Sequence, residues 1–169
     1  RGLLAQGELR IPEAIAQLTR ALERDPDLEE AREALASAVT AAQRESRDSS
    51  AIEEGSLAAE RIWTAGIERD LGYVPFLDGR AEVRLWRGIR ATHGGGDPLP
   101  AWEEAERDLL EAVRLAPLRA RSWRTLGTVR SNRGDQLARR GGNPEAAFAQ
   151  AEKDLSHALE IAPGDSEIW

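Results

Sequence analysis

The chain of 169 residues is long enough for one domain with a buried core. It is 41% apolar and 31% charged, and no run of apolar residues reaches the length of a membrane-spanning helix. The absence of Cys excludes disulfides, thiolate zinc sites and cysteine nucleophiles. Ala, Leu, Glu and Arg dominate, which favours helix over sheet. Because the sequence contains no Met, we expect it to be a segment of a longer protein.

Four segments are predicted to be helices of one kind. In each, Ala, a larger apolar residue and Ala recur at steps of four and three, which places them on one helix face. A Pro or Asp follows five residues later and ends the helix. In chain order the segments are Ala14/Leu18/Ala21/Pro26, Ala58/Ile62/Ala65/Asp70, Ala105/Leu109/Ala112/Pro117 and Ala151/Leu155/Ala158/Pro163.

The sequence between these helices contains three segments rich in Gly, Ser, Asp and Pro, at 46–50, 93–98 and 134–144. Such composition is typical of turns. Asp97-Pro98 and Asn143-Pro144 are predicted helix starts, because a capping side chain precedes a Pro whose backbone angle suits the first helical position.

Charge is distributed unevenly along the chain, whose net charge is −7. Residues 114–140, here called the basic belt, contain eight Arg and a single acid, Asp135. Two explanations are open. The Arg residues either bind an acidic partner or form ion pairs with the acidic helices on either side.

The helical pattern resembles the tetratricopeptide repeat (TPR), a unit of two antiparallel helices. Ala151, Leu155, Ala158 and Pro163 match its second helix, and the first helix before them is matched by Trp123, Leu126 and Gly127. In the preceding repeat Gly88 matches the small position of the first helix. Arg84 and Arg87 stand there where apolar residues are expected.

The resemblance implies an all-α, TPR-like helix-turn-helix solenoid, a right-handed superhelix of about four motifs with incomplete terminal repeats. The single domain 1–169 divides approximately into repeats 1–28, 29–72, 79–118 and 120–165, with 166–169 beginning a further helix. Three repeats exceed the family length by about 10, 5 and 12 residues between their helices. We therefore expect extended helices joined by mobile tips, similar to repeats that follow bacterial serine/threonine kinases.

The resemblance also implies a concave groove lined by the first helices. Its positions fall on Arg121, Arg124, Thr128 and Ser131 in the last repeat, Glu82, Leu85, Ile89 and Thr92 in the middle one, and Glu30, Glu33, Ser37 and Thr40 in the earlier one. The expected function is a noncatalytic scaffold that binds a peptide or protein, with an acidic segment of the partner near Arg121 and Arg124. Glu33, Ser37 and Trp86 depart from the clamp of chaperone-binding TPRs.

Catalytic interpretations are weaker. The HGGG sequence at 93–96 matches an esterase oxyanion motif but lacks the nucleophile elbow. Carboxylate pairs suggest a helical-toroid glycosidase, although such runs usually form a solvated helix face. They are Glu29/Glu30/Glu33, Glu53/Glu54 and Glu103/Glu104/Glu106. The alternatives to a simple scaffold are therefore this enzyme class or a regulatory TPR region of a larger signalling protein such as a bacterial serine/threonine kinase. We predict no enzymatic activity, cofactor or metal.

The aromatic residues complete the predictions. Trp123 is expected in the core and Trp63 partly exposed, whereas Trp86 and Trp102 are expected to pin the 93–98 tip or to line a pocket. Since only Trp123 lies in the basic belt, we expect no nucleic-acid partner. We also expect no membrane insertion, a cytoplasmic location, and head-to-tail self-association as an option for the apolar ends at Leu3/Leu4 and Ile168/Trp169.

Overall fold

A computed structural model describes residues 11–25, 28, 30–32, 34–35, 37–39 and 49–164. Within these ranges all regular structure is helical, which confirms the predicted all-α class. The helices are α1 (Ile11–Arg24), α2 (Ser49–Arg69), α3 (Val74–Gly94), α4 (Leu99–Leu115), α5 (Ala120–Arg139) and α6 (Glu145–Ile161), and helical residues also occur within 30–39. None of the described helices has the length and apolar character needed to cross a bilayer. The chain ends discussed above lie outside the described residues.

From α2 onward each helix packs against the next one along the chain. The pairs α3/α4 and α5/α6 form two hairpins, whose tips are residues 95–98 and 140–144. The first helices of the two hairpins, α3 and α5, also contact each other. The arrangement is therefore a repeat-like array of helices in which sequence neighbours are also neighbours in space.

Aromatic side chains fill the hairpins where the facing helix carries glycine. Trp102 of α4 is buried against Gly88 of α3, and its Nε1 donates a hydrogen bond to the Leu85 carbonyl at 3.1 Å. Phe148 of α6 lies on Gly134 of α5 in the equivalent position, although it is 37% exposed. Because glycine has no Cβ, the ring can lie directly on the opposing backbone.

The predicted helix starts are confirmed. Asp97 Oδ1 accepts the Leu99 N–H at 3.1 Å, and Asn143 Oδ1 accepts the Glu145 N–H at 2.9 Å. Gly95 and Gly141, both with φ of 75°, lie in the left-handed conformation just after α3 and α5. Each tip therefore consists of a helix-ending glycine followed by a capping side chain, and the second tip is short because α5 extends to Arg139, well into the predicted 134–144 turn segment.

The two hairpins are related by a shift of 46 residues. This shift carries Gly88 to Gly134 and Trp102 to Phe148, two pairs that make the same contact. It also relates Leu77 to Trp123 and Ala81 to Gly127. Ala81 therefore corresponds to the small residue of the first helix, a position that the sequence analysis assigned to Gly88. The shift thus favours a repeat that begins near Val74, the first residue of α3, rather than near Ala81.

The predicted buried face of α2 is also wrong by one position. Ala58 and Ala65 are exposed, whereas the buried residues are Ala59, Trp63 and Gly66. A shift of one residue rotates a side chain by about 100° around a helix, which turns Ala58 and Ala65 away from the core. Trp63, expected to be partly exposed, is only 2% exposed and packs on Phe76 and Gly79 in the core.

The contact between Gly88 and Trp102 is testable by adding one methyl group. A Cβ at Gly88 would overlap the Trp102 indole ring, so we expect Gly88→Ala to lower the free energy of unfolding by about 1–3 kcal/mol through overpacking. The matched control is Gly55→Ala in α2, where a Cβ meets nothing within 4 Å. There helix propensity predicts a gain of up to about 1 kcal/mol. Urea denaturation of both variants measures the difference, and equal stability would contradict this packing.

Candidate partner-binding site

Several Arg residues of the basic belt are bound by carboxylates of neighbouring helices. Arg130 lies between two of them, with Nε 2.8 Å from Glu106 and Nη1 2.8 Å from Asp154. Arg133 also binds Glu106. Arg119 pairs with Asp78 at 2.6 Å, and Arg140 pairs with Asp97 at 2.8 Å. For these residues the structure favours the second explanation, ion pairing within the protein.

The same set of ion pairs occurs 46 residues earlier. Glu60 of α2 accepts from Arg84 of α3 at 2.6 Å and from Arg87 at 2.8 Å, and Arg84 also binds Asp108 of α4 at 2.7 Å. We call these four residues the first ion-pair unit. The second ion-pair unit consists of the residues that the shift produces, Glu106, Arg130, Arg133 and Asp154.

In the first unit, Arg residues of α3 bind carboxylates of α2 and α4. In the second unit, Arg residues of α5 bind carboxylates of α4 and α6. The central Arg reaches one carboxylate on the preceding helix and another on the following helix, and all of these side chains are largely buried. Burial raises the pKa of Asp154 above its ordinary value, although the charge of Arg130 opposes this shift. Breaking such a pair leaves an uncompensated charge out of water, which is strongly destabilising.

Arg121 is a predicted site residue whose side chain stays exposed. It pairs with Glu82 at 2.7 Å, but its side chain is 51% exposed. Exposed pairs of this kind contribute at most about 1 kcal/mol. Arg124 is half-buried on the same helix.

The other predicted site residues have different environments. Thr128 and Ser131 are half-buried on α5, and Thr128 donates its hydroxyl hydrogen to the Arg124 carbonyl at 3.0 Å. Ser37 is exposed, and Glu33 lies outside the described residues. The prediction that Leu85 lines the groove is wrong. Leu85 is 6% exposed and belongs to the apolar core with Trp102.

A small cleft lies between α3 and α5, next to the first hairpin tip. Its volume is about 90 Å³, and it is lined by Ile89, Thr92, His93, Trp102, Asn132, Asp135, Gln136 and Arg139. The volume equals that of roughly three water molecules, so the α3–α5 cleft can hold one amino-acid side chain. A drug-sized ligand needs several times more space.

The cleft has an apolar base and a polar rim. Ile89 and Trp102 supply the apolar surface, and Asn132 is held against its own helix by a 2.8 Å bond from Nδ2 to the Thr128 carbonyl. Within the described part of the chain, the side chains of Asp135, Gln136 and Arg139 make no hydrogen bond or ion pair. The rim therefore offers a cation, a carboxylate and an amide to an incoming group.

Sequence reasoning identified Ile89 and Thr92 but missed the α5 side of the cleft. Asp135, Gln136 and Arg139 lie in the 134–144 segment, whose composition indicated a turn. In the structure α5 continues to Arg139 and presents these residues one to two turns beyond Ser131. The signal that could have found them is the continued helical spacing after Gly134.

Three of the candidate catalytic carboxylates, Glu53, Glu104 and Glu106, are engaged in ion pairs with Arg. Glu53 binds Arg87, and Glu106 binds Arg130 and Arg133. Among the residues that the structure describes, no group of three or more His, Asp or Glu side chains is arranged to hold a metal.

No protein-family model matches the chain, and no curated protein is significantly similar to it. The function is therefore inferred from the residues and geometry described above.

Neutralising a glutamate of the second ion-pair unit should destabilise the protein more than neutralising an exposed glutamate of α6. We expect Glu106→Gln to lower the free energy of unfolding by about 2 kcal/mol, less than for a fully buried pair, because Arg130 and Arg133 lose a shared charge. Glu152→Gln is the control, since the shift places Glu152 at the same position of α6, where it is exposed. We expect a change within about 0.5 kcal/mol there. Chemical denaturation measures both, and equal losses would refute the importance of the unit.

Two aspartates predict opposite pH dependences of stability. The Leu99 N–H, and after it Arg140, holds the pKa of Asp97 below its ordinary value. Wild type should therefore be more stable than Asp97→Asn above the ordinary Asp pKa. This advantage should be lost as the pH falls through the lowered pKa of Asp97. Burial raises the pKa of Asp154, so the stability of wild type relative to Asp154→Asn should fall as the pH rises from the ordinary to the raised pKa. Denaturation at a series of pH values tests the two signs, and parallel curves would contradict them.

Proposed function

We propose that this protein is a noncatalytic, TPR-like scaffold that binds a peptide segment of a protein partner along α3 and α5, with one partner side chain in the α3–α5 cleft. The observation that carries the proposal is the cleft itself. It combines the apolar surface of Ile89 and Trp102 with the side chains of Asp135, Gln136 and Arg139, which have no partner within the described residues.

The arrangement of the hairpins supports the TPR-like assignment. Two hairpins repeat at a fixed shift, and their first helices contact each other. In helical solenoids this arrangement lines up the first helices as a continuous concave surface suited to an extended ligand. That analogy concerns the fold, and the assignment of a binding role depends on the cleft.

Charge and length define the partner segment. Arg139 at the cleft and Arg121 near the start of α5 are both exposed, and eighteen residues of helix separate them by roughly 27 Å. An extended peptide covers that distance with about eight residues. We propose that the partner carries an acidic residue opposite each of these two cations, with an apolar or amide side chain in the cleft.

The alternatives receive less support. Glu53 and Glu106 serve as acceptors for Arg side chains, which gives no support to a carboxylate-based glycosidase. A regulatory TPR region of a larger signalling protein would use the same surface. A cytoplasmic location and the absence of a nucleic-acid partner remain predictions from composition.

The binding proposal is testable with a random-peptide display selection on the full chain. We expect the selected peptides to be acidic and to bind Arg139→Glu at least tenfold more weakly than wild type, because the substitution places a carboxylate at the cleft rim. Arg107→Glu is the matched control, since Arg107 is exposed on α4, outside the cleft. Fluorescence anisotropy with labelled peptide measures all three proteins.

Affinity for the Arg107→Glu variant should stay within twofold of wild type. Equal weakening by both substitutions would show only a general charge effect and would count against the cleft. Peptides that bind without any dependence on Arg139 would also reject this site.

A further inference from the structure

Within the described residues, one side of α6 is less covered than the equivalent side of α4, on which α5 packs. Leu109 and Val113 of α4 are 0% and 8% exposed, and they belong to the core cluster that includes Leu126 and Val129 of α5. The shift of 46 residues carries Leu109 to Leu155 and Val113 to Leu159. Both of these α6 residues are only half-buried.

The glutamate at this surface also lacks the Arg partners that its counterparts on α2 and α4 have, among the residues that the structure describes. Glu60 of α2 binds Arg84 and Arg87 of α3, and Glu106 of α4 binds Arg130 and Arg133 of α5. In both cases the two carboxylate oxygens of the Glu bind different Arg residues. These two Arg residues are three positions apart on the following helix. Glu152 is the third member of the series. It is exposed and makes no ion pair with any residue in the described ranges.

We propose that Glu152, Leu155 and Leu159 form a docking surface for an amphipathic helix of a partner protein that presents Arg at positions i and i+3 beside apolar residues. Charge complementarity argues for this occupant, because the protein itself uses the same acceptor twice for that spacing. Continuity argues for it too, since a helix placed here would repeat the packing of α5 on α4.

A second copy of the chain is a poorer occupant. Its helices α3 and α5 carry the Arg pairs of the two ion-pair units, and these are already bound to Glu60 and Glu106. Arg121 and Arg124 are likewise engaged within their own chain. A copy would have to break its internal ion pairs to dock.

The probe is a labelled peptide with the α5 sequence, Ala120–Arg139, because α5 is the helix that covers the equivalent surface of α4. We expect it to bind the full chain in an anisotropy titration. Glu152→Lys should weaken binding at least tenfold, whereas Glu54→Lys, an equal charge change at an exposed position of α2, should leave it within twofold. Circular dichroism and thermal unfolding should match wild type for both variants, since both sites are exposed.

A charge exchange makes the assignment specific. A peptide with Glu in place of Arg130 and Arg133 should bind wild type at least tenfold more weakly and recover affinity for Glu152→Lys. Failure of this recovery, or binding indifferent to Glu152, would overturn the proposal. Self-association of the chain that Glu152→Lys abolishes in sedimentation equilibrium would also overturn it, in favour of a second copy. Arg139→Glu should leave this binding unchanged, so that failure at α6 is distinguishable from failure at the α3–α5 cleft.

Discussion

A glutamate that binds two arginines of the next helix is the contact on which the helix array depends. Glu60 and Glu106 each hold the following first helix, and the central Arg of each unit then reaches forward to Asp108 or Asp154. Sliding a helix by one turn would separate these largely buried charges, and a buried charge without its partner is strongly destabilising. The ion-pair units therefore set the register between hairpins, while apolar side chains and glycines set the distance within them.

This use of charge decides which surfaces are left for binding. The cations of the basic belt that lie between helices are consumed by the fold, because Arg119, Arg130 and Arg133 face carboxylates of the same chain. Arg121 and Arg139 are among the exposed cations of the belt and lie on either side of the buried stretch, and Arg121 pairs with Glu82. Net charge along a sequence is thus a poor measure of the charge that a partner meets.

The extension of α3 and α5 creates the α3–α5 cleft. Both helices continue past a glycine, Gly88 or Gly134, on which an aromatic ring of the second helix rests. This close contact stabilises the extra turns that carry Ile89 and Arg139 beyond the length of an ordinary repeat. A helix-ending glycine and a capping side chain then complete each tip.

The sequence by itself determined the helical class, the buried face of α4, the buried alanines of α6 and the capped helix starts at Asp97 and Asn143, because periodicity and capping depend on residues within one or two turns. It failed at α2, where two overlapping apolar patterns differ by one residue and only packing against Phe76 selects Trp63 for the core. It also left the belt undecided, since the acceptors of Arg130 lie 24 residues away on either side. The tertiary structure alone decided which carboxylates meet which arginines, and so which residues line a site, because these contacts exist only once the helices have become neighbours.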